Sequence, residues 1–160
     1  MGKEQVRAYL DSIGRPDLRI VEFAVSSATV ELAAQAAGVP PAQIAKTLAL
    51  RVKEQVVLVV LGGEARLCNQ KLKQLFGTKA KMISAEETLE MTGHAVGGVC
   101  PFGLKNPLPI YLDESLHAFS VMYPAGGESN SAVPLAVAEM AEVTGGVWVD
   151  ISRAASQPEC

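Results

Sequence analysis

The chain has 160 residues, 49% of them hydrophobic, and a formal net charge of -3; this is enough apolar material for the core of one domain, and the acidic balance excludes a general nucleic-acid coat protein, which carries a large excess of Lys and Arg. No run approaches the roughly 18 consecutive apolar residues of a membrane span, and Met1-Gly2-Lys3-Glu4-Gln5 is too polar a start for a signal peptide, so a cytoplasmic protein without membrane contact is expected. Cys68, Cys100 and Cys160 are too few and too scattered for a disulfide framework or a Cys-rich zinc site, and reduced thiols are expected.

Residues 3–13 carry Val6, Tyr9, Leu10 and Ile13 at helical spacing, and Gly14 with Pro16 supplies a stop. A short apolar strand is predicted over 20–24. Ser26-Ser27-Ala28-Thr29 then offers caps for a helix over 30–37, which Gly38 ends. Pro40-Pro41 predicts a further helical turn that closes near Ala45 or Lys46. Residues 47–52 and 55–61, joined by Lys53-Glu54, read as two strands in tight reversal, the second nearly all aliphatic and therefore central; Gly62-Gly63 closes it.

Residues 69–76 are predicted helical with Leu72, Leu75 and Phe76 facing inward, and Ser84 with Glu87 three residues on is the capping-box signature of a helix through Met91, stopped by Gly93. From Gly93 to Pro109 glycines and prolines crowd among apolar residues, which fits a buried, shaped loop between short strands. Strands over 110–112 and 118–123, a turn at Gly126-Gly127, a helix around 134–143 and a strand over 147–151 follow, and residues 154–160 are expected to be a disordered tail. Hairpins mix with crossovers, so the fold class is α/β (mixed): a single domain over residues 1–153 with a curved mixed β-sheet surrounded by helices.

No nucleophile elbow, P-loop, zinc-protease helix or dinucleotide fingerprint is present, and with only His94 and His117 no metal site is expected. Lys46 stands out as a lone cation flanked by Ala45, Thr47, Leu48 and Ala49, which must either snorkel to solvent or meet an anion in a cleft. Gly97-Gly98-Val99-Cys100-Pro101 exposes backbone groups beside a stiffened turn, either as a structural turn or bulge or as a ligand cradle; Gly126-Gly127 offers a second such turn. Cys100 is either a small buried thiol or a nucleophile with His94 or His117 as base. Arg66, Lys71, Lys73, Lys79 and Lys81 gather with no acidic side chain between them, a solvated face or a local RNA contact.

Three blocks, Gly38-Val39-Pro40-Pro41-Ala42-Gln43-Ile44-Ala45-Lys46-Thr47-Leu48, Thr92-Gly93-His94-Ala95-Val96-Gly97-Gly98-Val99-Cys100-Pro101-Phe102-Gly103 and Tyr123-Pro124-Ala125-Gly126-Gly127, resemble in order and spacing the YbaK/ProX family, free-standing relatives of the editing domain of bacterial prolyl-tRNA synthetases. The resemblance covers roughly residues 3–151. It implies a trans-editing hydrolase, an aminoacyl-tRNA deacylase without cofactor, that attacks the 3′-ester with water. By the same resemblance Lys46 holds the ribose and phosphate of the tRNA terminus and Gly97 positions water or substrate, with Thr47, His94, Gly98, Pro101, Ala125, Gly126 and Gly127 binding substrate. The implied partners are the acceptor end of aminoacyl-tRNA and an aminoacyl-tRNA synthetase, the protein itself being a monomer or weak homodimer. The alternative is a non-catalytic module that recognises an acylated tRNA end or a synthetase.

Overall fold

The computed structural model describes residues 2–158. Its elements in chain order are α1 (Gly2–Ser12), β1 (Val21–Glu22), α2 (Val30–Ala37), β2 (Ile44–Val52), β3 (Gln55–Gly62), β4 (Ala65–Leu67), α3 (Asn69–Phe76), β5 (Ala80–Met82), α4 (Ala85–Thr92), β6 (Ile110–Asp113), β7 (Val121–Pro124), β8 (Ser131–Ala132), β9 (Leu135–Ala136), α5 (Met140–Thr144), β10 (Val147–Val149) and β11 (Ser152–Ala154). The main sheet runs β10-β6-β3-β2-β7-β9, with β5 on the same edge of β2 as β7. β2 and β3 form a long antiparallel hairpin, while β3–β6, β6–β10 and β2–β7 are parallel. This is the mixed, curved sheet with surrounding helices that the pattern predicts.

β3 is the centre, and its alternation divides the interior in two. Val56, Leu58 and Val60 enter a cluster with Val6 and Leu10 of α1, Phe102, Leu116, Met122 and Met140. Val57, Val59 and Leu61 enter a second cluster with Leu50, Leu72 of α3 and Ile151. Every inner residue of β3 is thus buried on one face or the other, the reason an aliphatic run without polar alternation forms a strand here.

Local chemistry fixes the helix ends. Thr29 Oγ1 accepts from Leu32 N, and Gly38 closes α2 in the left-handed region. Ser84 Oγ accepts from Glu87 N as a cap should, but the Glu87 carboxylate is taken by Arg51 of β2 rather than returning to Ser84. The buried Asp113 carboxylate accepts from Ser115 N at 2.9 Å, Ile151 N at 2.8 Å and Ser152 Oγ at 2.6 Å, tying the end of β6 to the chain's last strand.

Several expectations need correction. The turn after Pro40 is only a 3-10 turn, Pro41–Gln43, and β2 starts at Ile44, so Lys46 stands inside the strand and not at its mouth. β4 and β5 lie in stretches where no strand is predicted. Leu75 is exposed rather than inward, because α3 presents only Leu72 fully to the core. The predicted strand over 118–123 begins as a 3-10 turn, Glu114–Ala118, and the predicted helix over 134–143 begins as β9 followed by a 3-10 turn, Val137–Glu139. Ala154 closes β11, and Gln157 is bonded back to it, Gln157 N donating to Ala154 O at 3.0 Å; of the tail, residues 159–160 lie outside the described residues. Cys68 is disulfide-bonded, contrary to the expectation of reduced thiols.

Candidate active site

The sheet is interrupted on one side of β2. The ladder with β7 ends at Ala45, paired to Pro124, and the ladder with β5 starts at Leu50, paired to Met82, so 46–49 have no strand beside them on that edge. Backbone groups of successive strand residues point to opposite edges. Ala45 faces β7, and Ala49 O accepts from Ile83 N at 3.4 Å on the β5 side, which aims the Thr47 N–H and C=O into the opening. The Thr47 hydroxyl is also buried and has no hydrogen-bond partner among the described residues. A buried polar group left unpaired costs about 1–3 kcal/mol, and such a cost concentrated at an open strand edge marks a place for a ligand.

Over this edge lies a cavity of about 290 Å³. Its walls are the start of α2 with the Ser27-Ala28-Thr29 segment, the β2 edge, Met82 and Ile83, the Val96-Gly97 turn, and Tyr123, Ala125 and Ser131. Lys46 is the one charged side chain among the described residues that line it; no Asp, Glu, His or Cys does. Among the described residues there is also no group of three or more His, Cys, Asp and Glu able to hold a metal ion.

Lys46 is half-buried and does not snorkel freely. It shares the sheet face of Leu48, Leu50 and Val52, and its Nζ donates to Ala65 O at 2.6 Å and Gly63 O at 3.2 Å, the carbonyls that lead into β4. An ammonium has three donors, so two are anchored and the third has no partner among the described residues. Burial pushes the Lys46 ammonium below its ordinary value of 10.5, Arg66 adds to this, and Glu31 opposes it. Thr29 and Val30 bring the positive end of α2 to the same cavity, reinforcing an anion-favouring field.

Gly97 lines the cavity at φ 99°, a conformation that favours glycine, and an added Cβ would lie 3.1 Å from the Ala28 Cβ. Its loop is pinned from beneath. Gly98 N donates to Ala95 O at 2.9 Å; His94 N donates to Thr92 Oγ1 at 3.0 Å; and His94 Nε2 sits 2.7 Å from Phe102 O, which requires that nitrogen to carry the proton. Burial lowers the His94 pKa and favours this neutral ring, the hydrogen bond to Phe102 acting the other way.

Of the residues singled out from sequence, Lys46, Thr47, Gly97 and Ala125 meet around one cavity. His94, Gly98, Pro101, Gly126 and Gly127 are buried behind it. Gly98 lies against the backbone of Glu128, and an added Cβ would come within 2.7 Å of its nitrogen; Gly127 lies as closely against Gly2. These glycines let three loops pack together, and Ser27 N donates to Ser129 O at 2.5 Å where two of them meet. Cys100 is completely buried, outside the cavity lining, and burial pushes its thiol up to about 12, so it is neither exposed nor ionised for nucleophilic work. His117 is far from this chemistry in character, an exposed ring stacked on Trp148 at 4.3 Å. Sequence alone did not give a site role to Ser27, Tyr123 or Ser131: Ser27 reads only as part of a capping stretch, Tyr123 only as the first residue of the block that ends in Gly126-Gly127, and Ser131 has no local signature.

A curved mixed sheet with a cleft at an interrupted strand edge, walled by a lysine and a glycine turn, defines a small α/β domain with a cavity opening on one side of its sheet. Residues 25–143 match the aminoacyl-tRNA editing domain family. The chain is 44% identical over 96% of its length to the uncharacterised protein YwhH of Bacillus subtilis, covering 98% of that protein. It is 29% identical to EbsC of Enterococcus faecalis, provisionally assigned as a Cys-tRNA(Pro)/Cys-tRNA(Cys) deacylase, over 82% of each chain. The crystal structure of a protein provisionally assigned as a trans-editing enzyme for prolyl tRNA synthetase superposes with a TM-score of 0.89 at 33% identity, covering 96% of this chain and 98% of the other. The chain belongs to the aminoacyl-tRNA editing domain family, whose field of action is the aminoacylated end of tRNA. No helix among the described residues is long and apolar enough to cross a membrane.

Proposed function

We propose that this protein is a trans-acting aminoacyl-tRNA deacylase that removes a small, wrongly attached amino acid by water attack on the 3′-ester. The observation that carries the proposal is that Lys46, Thr47 and Gly97 line one cavity whose strand edge is open. An aminoacyl ester is an activated bond, so hydrolysis needs no protein nucleophile: water oxygen bonds to the carbonyl carbon, the bond to the ribose oxygen breaks, and the water's protons end on the released hydroxyl and carboxyl groups. What the protein supplies is placement and a positive field for the developing oxyanion.

In this reading the free Lys46 donor holds the phosphate or ribose of the tRNA terminus, as a compact point charge does. Gly97 holds the water or the ester carbonyl against its backbone, and the open groups of Thr47 take the polar atoms of the aminoacyl moiety. His94, Gly98 and Pro101 support the Gly97 turn from behind, and Gly126 and Gly127 do the same for the wall that carries Ala125. Second-site hydrolysis answers a general limit, since one missing methylene distinguishes substrates by only about 1–3 kcal/mol.

The test is a panel of tRNAs charged with small amino acids, incubated with the protein and with Lys46→Ala, and followed for loss of label. Turnover by the wild type and its loss in a folded Lys46→Ala protein is the expected result. The absence of any His, Asp, Glu or Cys from the cavity lining gives the binding-module reading its one support; saturable retention of charged tRNA without release of the amino acid would establish that reading instead.

A further inference from the structure

Beside the cavity, between α3 and β5, lies a second hollow of about 390 Å³, lined by Asn69, Gln70 and Lys73 on one side and by Lys79, Ala80 and Lys81 on the other. We propose that Lys73, Lys79 and Lys81 are the docking surface for the phosphate backbone of the RNA whose acylated end enters the cavity, an inference that rests on the deacylase reading above for the identity of that RNA.

Three observations carry it. First, the charges are free: all three lysines are exposed, and none is ion-paired among the described residues. Their cationic neighbours are spent elsewhere, Lys71 on Asp150 and Arg51, the register partner of Lys81, on Glu87. No carboxylate of the described residues lines the hollow, although the chain as a whole is acidic at -3. A polyanion is therefore attracted here although the net charge of the chain is negative.

Second, hollow and cavity are lined by consecutive residues of β5 and its flanks. Lys79, Ala80 and Lys81 line the former, and the next two residues, Met82 and Ile83, line the latter. At about 3.3 Å per residue, Lys81 and Lys79 stand roughly 7 and 13 Å from Ile83 along the chain. These are distances over which a strand leaving the cavity still presents its first phosphates. Third, the remaining lining is polar: Asn69 and Gln70 offer amide donors and acceptors for phosphate and ribose oxygens, the mixture by which proteins fix a nucleic-acid backbone without reading bases.

The test uses fluorescently labelled, uncharged tRNA titrated with the full chain at several salt concentrations. It compares wild type, Lys73→Gln/Lys79→Gln/Lys81→Gln, and a charge-matched control, Arg19→Gln/Lys53→Asn/Lys105→Gln. Each phosphate contact contributes about 0.7–0.9 to the salt slope. The expected result is a Kd at least tenfold weaker and a slope shallower by about 2 in the lysine triple variant, with the control near wild type. In parallel, hydrolysis of an aminoacyl ester of adenosine, which has no phosphate, should run at the wild-type rate in the lysine triple variant; this also proves its fold. Unchanged tRNA affinity in the lysine variant, an equal loss in the control, no RNA affinity in the wild type, or loss of the small-ester reaction would each overturn the proposal. If the wild type hydrolyses neither charged tRNA nor the small ester, the deacylase reading fails, and the affinity comparison still decides the docking surface.

Discussion

Gly97 packs against Ala28: a Cβ built on Gly97 would lie 3.1 Å from the Ala28 Cβ, on a backbone already at φ 99°. Replacement by alanine therefore strains the backbone and pushes two cavity walls apart together. Gly97→Ala is expected to cost about 1–3 kcal/mol in stability and to lower deacylation at least tenfold. Adding Ala28→Gly relieves the contact but not the dihedral, so thermal melts should recover only in part. Full activity in Gly97→Ala would remove this turn from the mechanism.

The lowered pKa of Lys46 sets an alkaline limit. The folded protein gives up this proton below 10.5, the ordinary value that applies in the unfolded chain. Burial of the charge thus costs stability at lower pH, and that cost is relieved as pH rises through the lowered pKa. Activity runs the other way, because a neutral amine cannot hold phosphate. Deacylation, corrected for spontaneous ester hydrolysis and followed from about pH 7 to pH 10, should fall on a limb that starts below the ordinary lysine value. In Lys46→Arg the limb should disappear while the plateau drops, since a guanidinium stays charged but does not reproduce the ammonium's two carbonyl bonds. An identical limb in Lys46→Arg would assign it to another group.

Thr47→Val separates folding from function by sign. The Thr47 hydroxyl is buried and unpaired in the free protein, so its replacement by an isosteric methyl should leave stability unchanged or raise it by up to about 1 kcal/mol. If substrate satisfies the hydroxyl, kcat/KM falls about tenfold, equivalent to about 1.4 kcal/mol, and Thr47→Ser restores it. A Thr47→Val protein that is both less stable and fully active contradicts the placement.

Cys100 should be dispensable for catalysis. Its neutral thiol is favoured by the fold up to about 12, so that contribution to stability is whole below the ordinary thiol range and is lost as pH rises beyond it. Cys100→Ala is expected to keep deacylation within about threefold while losing roughly 1–2 kcal/mol to the small cavity it leaves. Loss of turnover in a folded Cys100→Ala protein would restore the thiol mechanism.

Asp113→Ala tests the fold. Three donors converge on this buried carboxylate, and orphaning the two backbone N–H groups should cost about 2–4 kcal/mol, read as a fall in Tm of roughly 5–15 °C. Asp113→Asn, which keeps acceptor capacity at one oxygen, should fall between the two.

Local signals were legible where one residue decides the outcome: Gly38 and Gly93 stop helices, Ser84 caps α4, and an unbroken aliphatic run becomes the central strand β3. Short strands were not, because β4, β5 and β9 exist through partners remote in sequence, Ala65 with Ala154 and Ala80 with Val52, and carry no period of their own. The start of β2 was misread for the same reason: Pro40-Pro41 argues for helix locally, whereas pairing of Ile44 and Ala45 with β7 decides for strand. At the site, Lys46 and Gly97 were recognisable by residue type, but their meeting depends on the gap between β7 and β5, a feature of three non-adjacent segments. Glu87 was read from sequence as the return partner of a capping box, and its actual partner, Arg51, is set by the packing of α4 against β2, which no local pattern carries.

The interruption beside β2 also leaves little strand edge at this place for another chain to pair with. An unpaired strand edge ordinarily templates another chain, and proteins blunt such edges by charge, bulges or cover. Here only residues 46–49 are open, bounded at each end by a bonded strand and overhung by the α2, Val96-Gly97 and Ser131 walls. A foreign β-segment would need several consecutive residues to lie flat along the edge, and the slot admits no such ribbon. At this gap, backbone stays within reach of a small guest while amyloid-like growth is denied the runway it requires.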